Sequence, residues 1–208
     1  MNVYAAYVFP LLMDWTMSRE AFQRLRTDVL KDVFGDVLEI GYGTALNLPH
    51  YPISVSRLTM VDPVRLLKSR VERRRATVGF PVAIEQQSAE SLPFPDGRFD
   101  CAVSTWTLCT IPEPEQALRE VSRVLKPSGR FIFLEHGRSD DKRIAAWQDR
   151  LNPLQRLAAC GCNLNRPIDQ LIERSGLSLV HTRRFCLPRV PRIVGEMYQG
   201  HARPAARK

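Results

Sequence analysis

Short apolar segments that alternate with helical patterns constrain the fold of this chain more than any other feature of its sequence. Val64, Leu67 and Val71 recur at helical spacing, and an apolar helical stripe covers residues 117–125. The apolar segments lie at residues 37–40, 58–61, 82–84, 99–104 and 131–134. Such alternation predicts an α/β fold, in which a parallel sheet carries helices on both faces.

The flanking segments extend the same fold. Phe22, Leu25, Val29 and Val33 predict a helix over residues 18–34 that Gly35 ends. The helix over 117–125 is expected to end at the Pro-Ser-Gly of residues 127–129. After residue 137, a mostly helical, Arg-rich stretch runs to about residue 175. Apolar segments at 177–180 and 193–198 then predict two closing strands, which gives a mostly parallel, seven-stranded sheet.

A chain of 208 residues fits one domain over residues 1–208. We divide it into an N-terminal helical segment at 1–34, a core at 35–137 and a third part at 138–208. Nothing in the residues specifies an oligomeric state.

A glycine turn ends the first strand, and an acid ends the second. Gly41 and Gly43 allow a ligand to approach the backbone, whereas a dinucleotide fingerprint would need a third glycine where Leu46 stands. Glu39 would repel a phosphate and suits a cationic ligand, and Asp62 can accept hydrogen bonds from both ribose hydroxyls. A nucleoside with positive charge and no phosphate is S-adenosylmethionine. A tight turn that binds no ligand is the alternative for the glycine pair.

Further motifs resemble those of class I S-adenosylmethionine-dependent methyltransferases of the broad small-molecule group. They read AESLPFPDGRFD at 89–100, LRE at 118–120 and RVLKPSG at 123–129, and the resemblance covers residues 37–136. It implies a Rossmann-like class I fold, with 35–137 as the cofactor-binding core and 138–208 on the substrate side.

A narrower resemblance, over roughly residues 10–200, is to the methyltransferase-like 7 family of alkyl thiol methyltransferases. It rests on Trp147 and on TLC at 107–109, LEH at 134–136, LNP at 151–153 and GCNLNR at 161–166. It implies methyl transfer to a small, largely apolar acceptor, with thiols favoured. The family's long N-terminal membrane anchor corresponds here to the apolar run at residues 3–13. Tyr42 stands where a small residue or Cys is common, and Ala45 replaces the usual third glycine, which cofactor binding should tolerate if its φ is negative.

The resemblance also implies a set of cofactor contacts. The backbone of the glycine turn should line the methionine end, which residue 105 should also face. Glu39 should orient that turn or meet the cofactor's ammonium through water, Asp62 should hold the ribose, and residues 88–90 should contact adenine. Many relatives carry Asp at position 88. The full set is Glu39, Gly41, Tyr42, Gly43, Asp62, Ser88, Ala89, Glu90 and Thr105.

The acceptor side is expected beyond the fourth and fifth strands. His136 is the candidate base for the acceptor's proton, and a structural hydrogen-bonding role is its alternative. Cys109 and Cys162 are expected to line the pocket, and Trp106 and Trp147 either wall it or belong to the core. Five cysteines suggest free thiols in a reducing compartment, hence a cytoplasmic protein. No metal site is expected, because residues 160–162 have no matching Cys pair.

Charge distribution leaves two further questions open. The formal net charge is +8, yet residues 1–141 carry −1 and residues 142–208 carry +9. Nucleic acid is disfavoured as a partner, because residues 104–107 read STWT and not an Asn/Asp-Pro-Pro-aromatic run.

A phosphatidylethanolamine N-methyltransferase is the alternative function, and a non-catalytic S-adenosylmethionine-binding protein is the second. The run at 3–13 is too short to span a bilayer, so we expect at most peripheral contact with an anionic membrane.

Overall fold

Seven strands form one sheet in the computed structural model, which describes residues 3–205. The strands are β1 (Gly35–Ile40), β2 (Val55–Val61), β3 (Val82–Glu85), β4 (Phe99–Thr105), β5 (Leu125–His136), β6 (Leu177–Cys186) and β7 (Glu196–Pro204). Their order is β3-β2-β1-β4-β5-β7-β6. Neighbouring strands from β3 to β5 are parallel, and β7 runs antiparallel between β5 and β6. The predicted fold class is confirmed.

Helices cover both faces of the sheet. They are α1 (Phe9–Met17), α2 (Glu20–Leu30), α3 (Lys68–Arg75), α4 (Pro114–Val124), α5 (Lys142–Ala158), α6 (Ile168–Arg174) and α7 (Arg192–Gly195), and a π-helical turn at Tyr4–Val8 precedes α1. Side chains of α4 and α6 share one buried cluster with Leu38 and Ile40, while α2 and α3 share another with Val37. Because successive strand residues point to opposite faces, β1 is buried on both.

Several predicted boundaries are wrong. The helix expected over 18–34 ends at Leu30 and not at Gly35, which begins β1, and the strand expected at 177–180 extends to Cys186.

Three further differences have a local cause. The helix expected over 64–71 begins only at Lys68, because Asp62 holds the backbone N–H of Val64 and Leu67 is left-handed. The segment at 127–129 does not end α4, since Leu125 is already extended and pairs with Phe99 of β4. Residues 193–195 belong to α7, so the last strand begins at residue 196.

The N-terminal apolar run forms the π-helical turn and most of α1. Within residues 3–205, no helix combines the length and apolar character that crossing a bilayer requires.

Candidate active site

The predicted site residues follow neighbouring strands at one edge of the sheet. Gly41 follows β1, Asp62 follows β2, Thr105 ends β4 and His136 ends β5. The chain moves outward in opposite directions from β1 and β4, so the strand order reverses between them. Ligands of open α/β sheets bind in the crevice at such a point, beyond the carboxyl ends of the strands.

The two glycines of the turn after β1 have different surroundings, one crowded and one open. Both Gly41 and Gly43 have positive φ, at 66° and 53°. A Cβ at Gly41 would collide with Thr107, whereas a Cβ at Gly43 would meet nothing within 4 Å. Gly41 is therefore required for packing, whereas Gly43 faces open space.

Asp62 ties this turn to the end of β2. One carboxylate oxygen accepts a hydrogen bond from the backbone N–H of Gly43 at 3.0 Å, and the other accepts one from Val64 at 2.9 Å. Burial raises the pKa of Asp62, and the two backbone donors oppose that shift. Each oxygen keeps a further lone pair, so the carboxylate can still accept from a ribose.

Glu39 is hydrogen-bonded to two residues that follow the glycine turn. It is buried and accepts hydrogen bonds from Asn47 and from the hydroxyl of Tyr51, each at 2.8 Å. Burial raises its pKa to about 7. These contacts support the loop-orienting role among the two roles expected for Glu39.

Arg26 joins this network from α2, and the sequence reasoning missed it together with Asn47 and Tyr51. Its guanidinium donates to Asn47 at 2.5 Å and to Thr105 at 3.2 Å, and lies 4.7 Å from the ring centre of Trp106. Its Nε is buried and has no hydrogen-bond partner within residues 3–205. The sequence pattern that could have identified Arg26 is its spacing of three residues from Val29, which places it on the buried side of α2.

Ala45 has a backbone conformation that is unusual for an alanine. Its φ is 61°, so the condition for easy tolerance of this replacement, a negative φ, is not met, and the alanine adopts the left-handed conformation that glycine favours. This conformation costs an L-residue about 1–2 kcal/mol. The loop therefore keeps a glycine-like backbone without the glycine, and its buried methyl group packs beside Leu48 in the core.

The segment expected at the adenine is fixed by its own side chains. Ser88 donates to the carboxylate of Glu90 at 2.8 Å, and the other oxygen of Glu90 accepts from the backbone N–H of Glu113, just before α4, at 2.8 Å. Ala89 is buried in the core. Because these side chains are engaged within the protein, a nucleobase at this segment would contact mainly its backbone.

Two cysteines and a histidine meet beyond β4 and β5. His136 Nε2 lies 2.9 Å from Cys162 Sγ, and these two atoms and Cys109 Sγ all lie within 4.8 Å of one another. Cys109 is buried, whereas His136 and Cys162 are partly exposed. Contact with Cys109, together with burial, raises the pKa of the Cys162 thiol. We call these three residues the Cys-His-Cys cluster.

Glu135 anchors the turn that carries Cys109. Its carboxylate is fully buried and accepts from the Ser104 hydroxyl at 2.6 Å and from the backbone N–H groups of Thr107 at 2.9 Å and Leu108 at 3.2 Å. Burial raises its pKa to about 7. The sequence reasoning treated Glu135 only as part of a motif and missed this role.

The loop between α5 and α6 supplies Cys162 and is fastened to the same turn. Asn163 donates its backbone and side-chain N–H groups to the Cys109 carbonyl, each at 2.9 Å. Arg166 donates to the carbonyls of Leu108 and Ile111. The GCNLNR motif therefore fixes the two cysteines relative to each other.

The two tryptophans occupy different places. Trp106 is partly buried, has a φ of 50° and packs against Phe22 with ring centres 5.7 Å apart. Trp147 is half exposed on α5, with Arg150 5.4 Å from its ring centre. The core alternative for Trp147 is therefore wrong.

Comparison with known proteins finds a matching family model and similar methyltransferases. A family model described as a methyltransferase domain matches residues 38–133. Human thiol S-methyltransferase TMT1A is 32% identical over 190 residues, covering 88% of this chain and 77% of that protein. A phosphatidylethanolamine N-methyltransferase of Cereibacter sphaeroides is 34% identical over 119 residues, covering 56% and 58%.

A solved structure supports the fold. The 1,6-didemethyltoxoflavin-N1-methyltransferase of Burkholderia thailandensis, solved with its substrate and S-adenosylhomocysteine, aligns with a TM-score of 0.64 at 18% identity. The alignment covers 99% of this chain and 92% of that one.

Proposed function

The chain belongs to the S-adenosylmethionine-dependent methyltransferase family that includes the thiol S-methyltransferases, and we propose that its acceptor is a small, largely apolar thiol. The observation that carries the choice of acceptor is the Cys-His-Cys cluster, in which Cys109 follows β4, His136 ends β5 and Cys162 comes from the loop between α5 and α6. The human relative is named a thiol S-methyltransferase, and the match to it extends over both loops that build this cluster.

The cofactor carries its methyl group on a positively charged sulfur, so the bound cofactor supplies the electrophile. The protein's task is to position the acceptor and exclude water. We propose that the Gly41–Gly43 backbone and Thr105 border the methionine end, and that Asp62 holds the ribose. We propose that residues 88–90 border the adenine. The partnerless Nε–H of Arg26 suits a carboxylate, which the methionine end provides.

Loss of the thiol proton is the chemical step that the protein must promote, since the thiolate is the nucleophile. His136 stays a predicted base for that proton. Its Nε2 contacts Cys162 at 2.9 Å, so an acceptor would have to replace this contact. Undiminished thiol methylation by a His136→Ala variant would exclude the histidine from this step.

A labelled-methyl screen tests the proposed acceptor. Purified protein, radiolabelled S-adenosylmethionine and separate panels of alkyl thiols, phenols, amines and phosphatidylethanolamine vesicles are incubated, and labelled products are counted. We expect label on the thiols. The match to the phosphatidylethanolamine enzyme makes that lipid the second candidate. Label on phosphatidylethanolamine with none on thiols would overturn the thiol proposal, and failure of every panel would favour a non-catalytic binding protein.

We also propose peripheral contact with an anionic membrane on the cytoplasmic side. Large apolar side chains are exposed on the N-terminal helices and on α5, including Tyr7 at 68%, Trp15 at 60% and Leu157 at 80%. The hydroxyl of Tyr4 donates to the carbonyl of Ala158 at 2.8 Å, which places these helices side by side. Basic side chains border the surface, with Arg19 4.3 Å from the ring centre of Trp15. An apolar surface bordered by cations suits an anionic bilayer.

Vesicle flotation tests the membrane proposal. We expect the protein to float with phosphatidylglycerol-containing vesicles at low salt and less at high salt, because salt screens surface charge. The double variant Trp15→Ser, Leu157→Ser should float less than wild type. Ile53→Ser is the matched control, since it removes a fully exposed apolar side chain from the loop before β2. Equal flotation of the double variant and wild type would contradict the proposal.

A further inference from the structure

We propose that Cys109, His136 and Cys162 form a binding site for a divalent metal ion of the zinc class, whose fourth coordination position takes the sulfur of the acceptor. This inference rests on the proposed thiol methylation and deepens it. It also differs from the sequence expectation, which foresaw no metal because Cys160 and Cys162 have no second pair. The tertiary structure supplies the other ligands from elsewhere in the chain.

The geometry of the cluster suits a small tetrahedral ion. Zinc binds thiolate sulfur at about 2.3 Å and imidazole nitrogen at about 2.0 Å, which places neighbouring ligand atoms about 3.5–3.8 Å apart. The three atoms here lie within 4.8 Å of one another, and the contact of His136 Nε2 with Cys162 Sγ measures 2.9 Å. That contact would widen by about half an ångström around zinc.

The three ligands come from separate segments that are already fixed to one another. Cys109 lies on the turn after β4 that Glu135 anchors, His136 ends β5, and Cys162 lies between α5 and α6. Asn163 binds the carbonyl of Cys109 through two N–H groups. Metal sites depend on such supporting hydrogen bonds to orient their ligands. The left-handed φ of Cys160 and Gly161, 50° and 97°, bends the loop just before the third ligand.

Charge at the cluster favours a bound thiolate. A divalent ion is neutralised by two cysteine thiolates and a neutral histidine, so an acceptor thiolate adds one negative charge. Arg166 can balance it, because its positive charge acts on both sulfurs while its guanidinium binds the carbonyls of Leu108 and Ile111. Two cysteines and one histidine with an open position are a ligand set that catalytic zinc sites use.

The chemistry follows from the properties of a metal-bound thiol. Coordination deprotonates the thiol, and the proton leaves to solvent. A sulfur–carbon bond to the methyl group then forms as the carbon–sulfur bond of the sulfonium breaks, which gives a neutral thioether and neutral S-adenosylhomocysteine. The thioether is a weaker ligand than the thiolate and leaves the metal. His136 acts as a ligand in this arrangement, and a free His136 base is the competing outcome.

Cobalt binding tests the site without reference to activity. The full-length protein is stripped of metal with a chelator, kept reduced with a phosphine and titrated with Co²⁺. We expect one equivalent to produce visible bands typical of tetrahedral cobalt, together with sulfur-to-cobalt charge-transfer absorption. Zn²⁺ should then displace the cobalt, and an added alkyl thiol should shift the visible bands because it occupies the fourth position. Octahedral spectra, or no bands, would overturn the site.

Matched cysteine variants assign the ligands. Cys109→Ser and Cys162→Ser should each lower Co²⁺ affinity by more than the roughly 10- to 100-fold that loss of a supporting hydrogen bond causes. Cys160→Ser, two residues away, and Cys186→Ser on β6 should bind Co²⁺ as wild type does. Far-ultraviolet circular dichroism of the metal-free variants verifies their fold. Equal Co²⁺ affinities in all four variants would contradict the assignment.

Thiol methylation by the metal-free protein separates this inference from the proposed function. We expect the stripped protein to lose thiol methylation and to regain it with Zn²⁺. Undiminished methylation by the stripped protein would overturn the metal's role while leaving the thiol acceptor in place, and would favour a free His136 base. Tetrahedral cobalt bands in a protein that methylates no thiol in any form would support the metal site and refute the acceptor.

Discussion

Replacement of Glu135 by alanine is expected to lower the free energy of unfolding by about 3–5 kcal/mol, because three buried hydrogen-bond donors lose their acceptor. The carboxylate is fully buried and accepts from the Ser104 hydroxyl and from the N–H groups of Thr107 and Leu108. Without it, these buried donors lose their partner, at a cost of about 1–3 kcal/mol each. Urea unfolding followed by circular dichroism measures the change.

Two further variants, one conservative and one at an exposed site, are controls for the Glu135→Ala measurement. Glu135→Gln keeps the shape of the side chain but turns an amide N–H₂ toward backbone donors. It should therefore lower the free energy of unfolding by less than Glu135→Ala does. Glu72→Ala removes an exposed carboxylate of α3 and should change stability by no more than about 0.5 kcal/mol. If Glu135→Ala and Glu72→Ala differ by less than about 1 kcal/mol, Glu135 does not anchor the turn.

Replacement of Asp62 by alanine is expected to weaken S-adenosylmethionine binding by about 100-fold or more. A hydrogen bond to a charged group contributes about 1.5–3 kcal/mol, and the proposed carboxylate–ribose contact contains two of them. The variant also frees the backbone N–H of Gly43, which lies 3.0 Å from the carboxylate, so the turn itself loses support. Isothermal titration calorimetry measures the affinity.

A second substitution separates cofactor contact from turn support. Gly43→Ala leaves Asp62 in place and adds a methyl group to a position with nothing within 4 Å. The left-handed backbone costs about 1–2 kcal/mol of stability, while the methyl group intrudes on the proposed cofactor space. We therefore expect folded protein with at least 10-fold weaker binding. Asp32→Ala, an exposed acid between α2 and β1, serves as the control. Binding unaffected by Asp62→Ala would refute the ribose assignment.

The local structure of the proposed cofactor site was largely predictable from the sequence. A glycine pair after an apolar strand, followed by an acid after the next strand, specifies a turn with positive φ and a carboxylate at the same edge of a parallel sheet. Supporting contacts were not predictable in this way. Arg26 and Thr105 are 79 residues apart, and Asn47 and Thr105 are 58 apart, yet all three share hydrogen bonds.

Charge gave the least direct guide to function. The +9 carried by residues 142–208 suggested a basic surface, and part of it serves internal structure. Arg166 binds two backbone carbonyls, and Arg184 pairs with Asp140 and Asp169. Formal charge counts every side chain equally, whereas only the tertiary structure distinguishes an arginine that faces solvent from one that holds a loop.

The sequence by itself determined the alternation of strands and helices, the glycine turn and the acid after β2, because periodicity and turn preference act between residues close in the chain. Only the tertiary structure decided that Cys109, His136 and Cys162 meet. Their meeting depends on β4 and β5 being neighbours and on Asn163 and Arg166 fastening the α5–α6 loop to the turn after β4. Apolar patterns specify which side chains are buried, but long-range contacts specify which of them lie together.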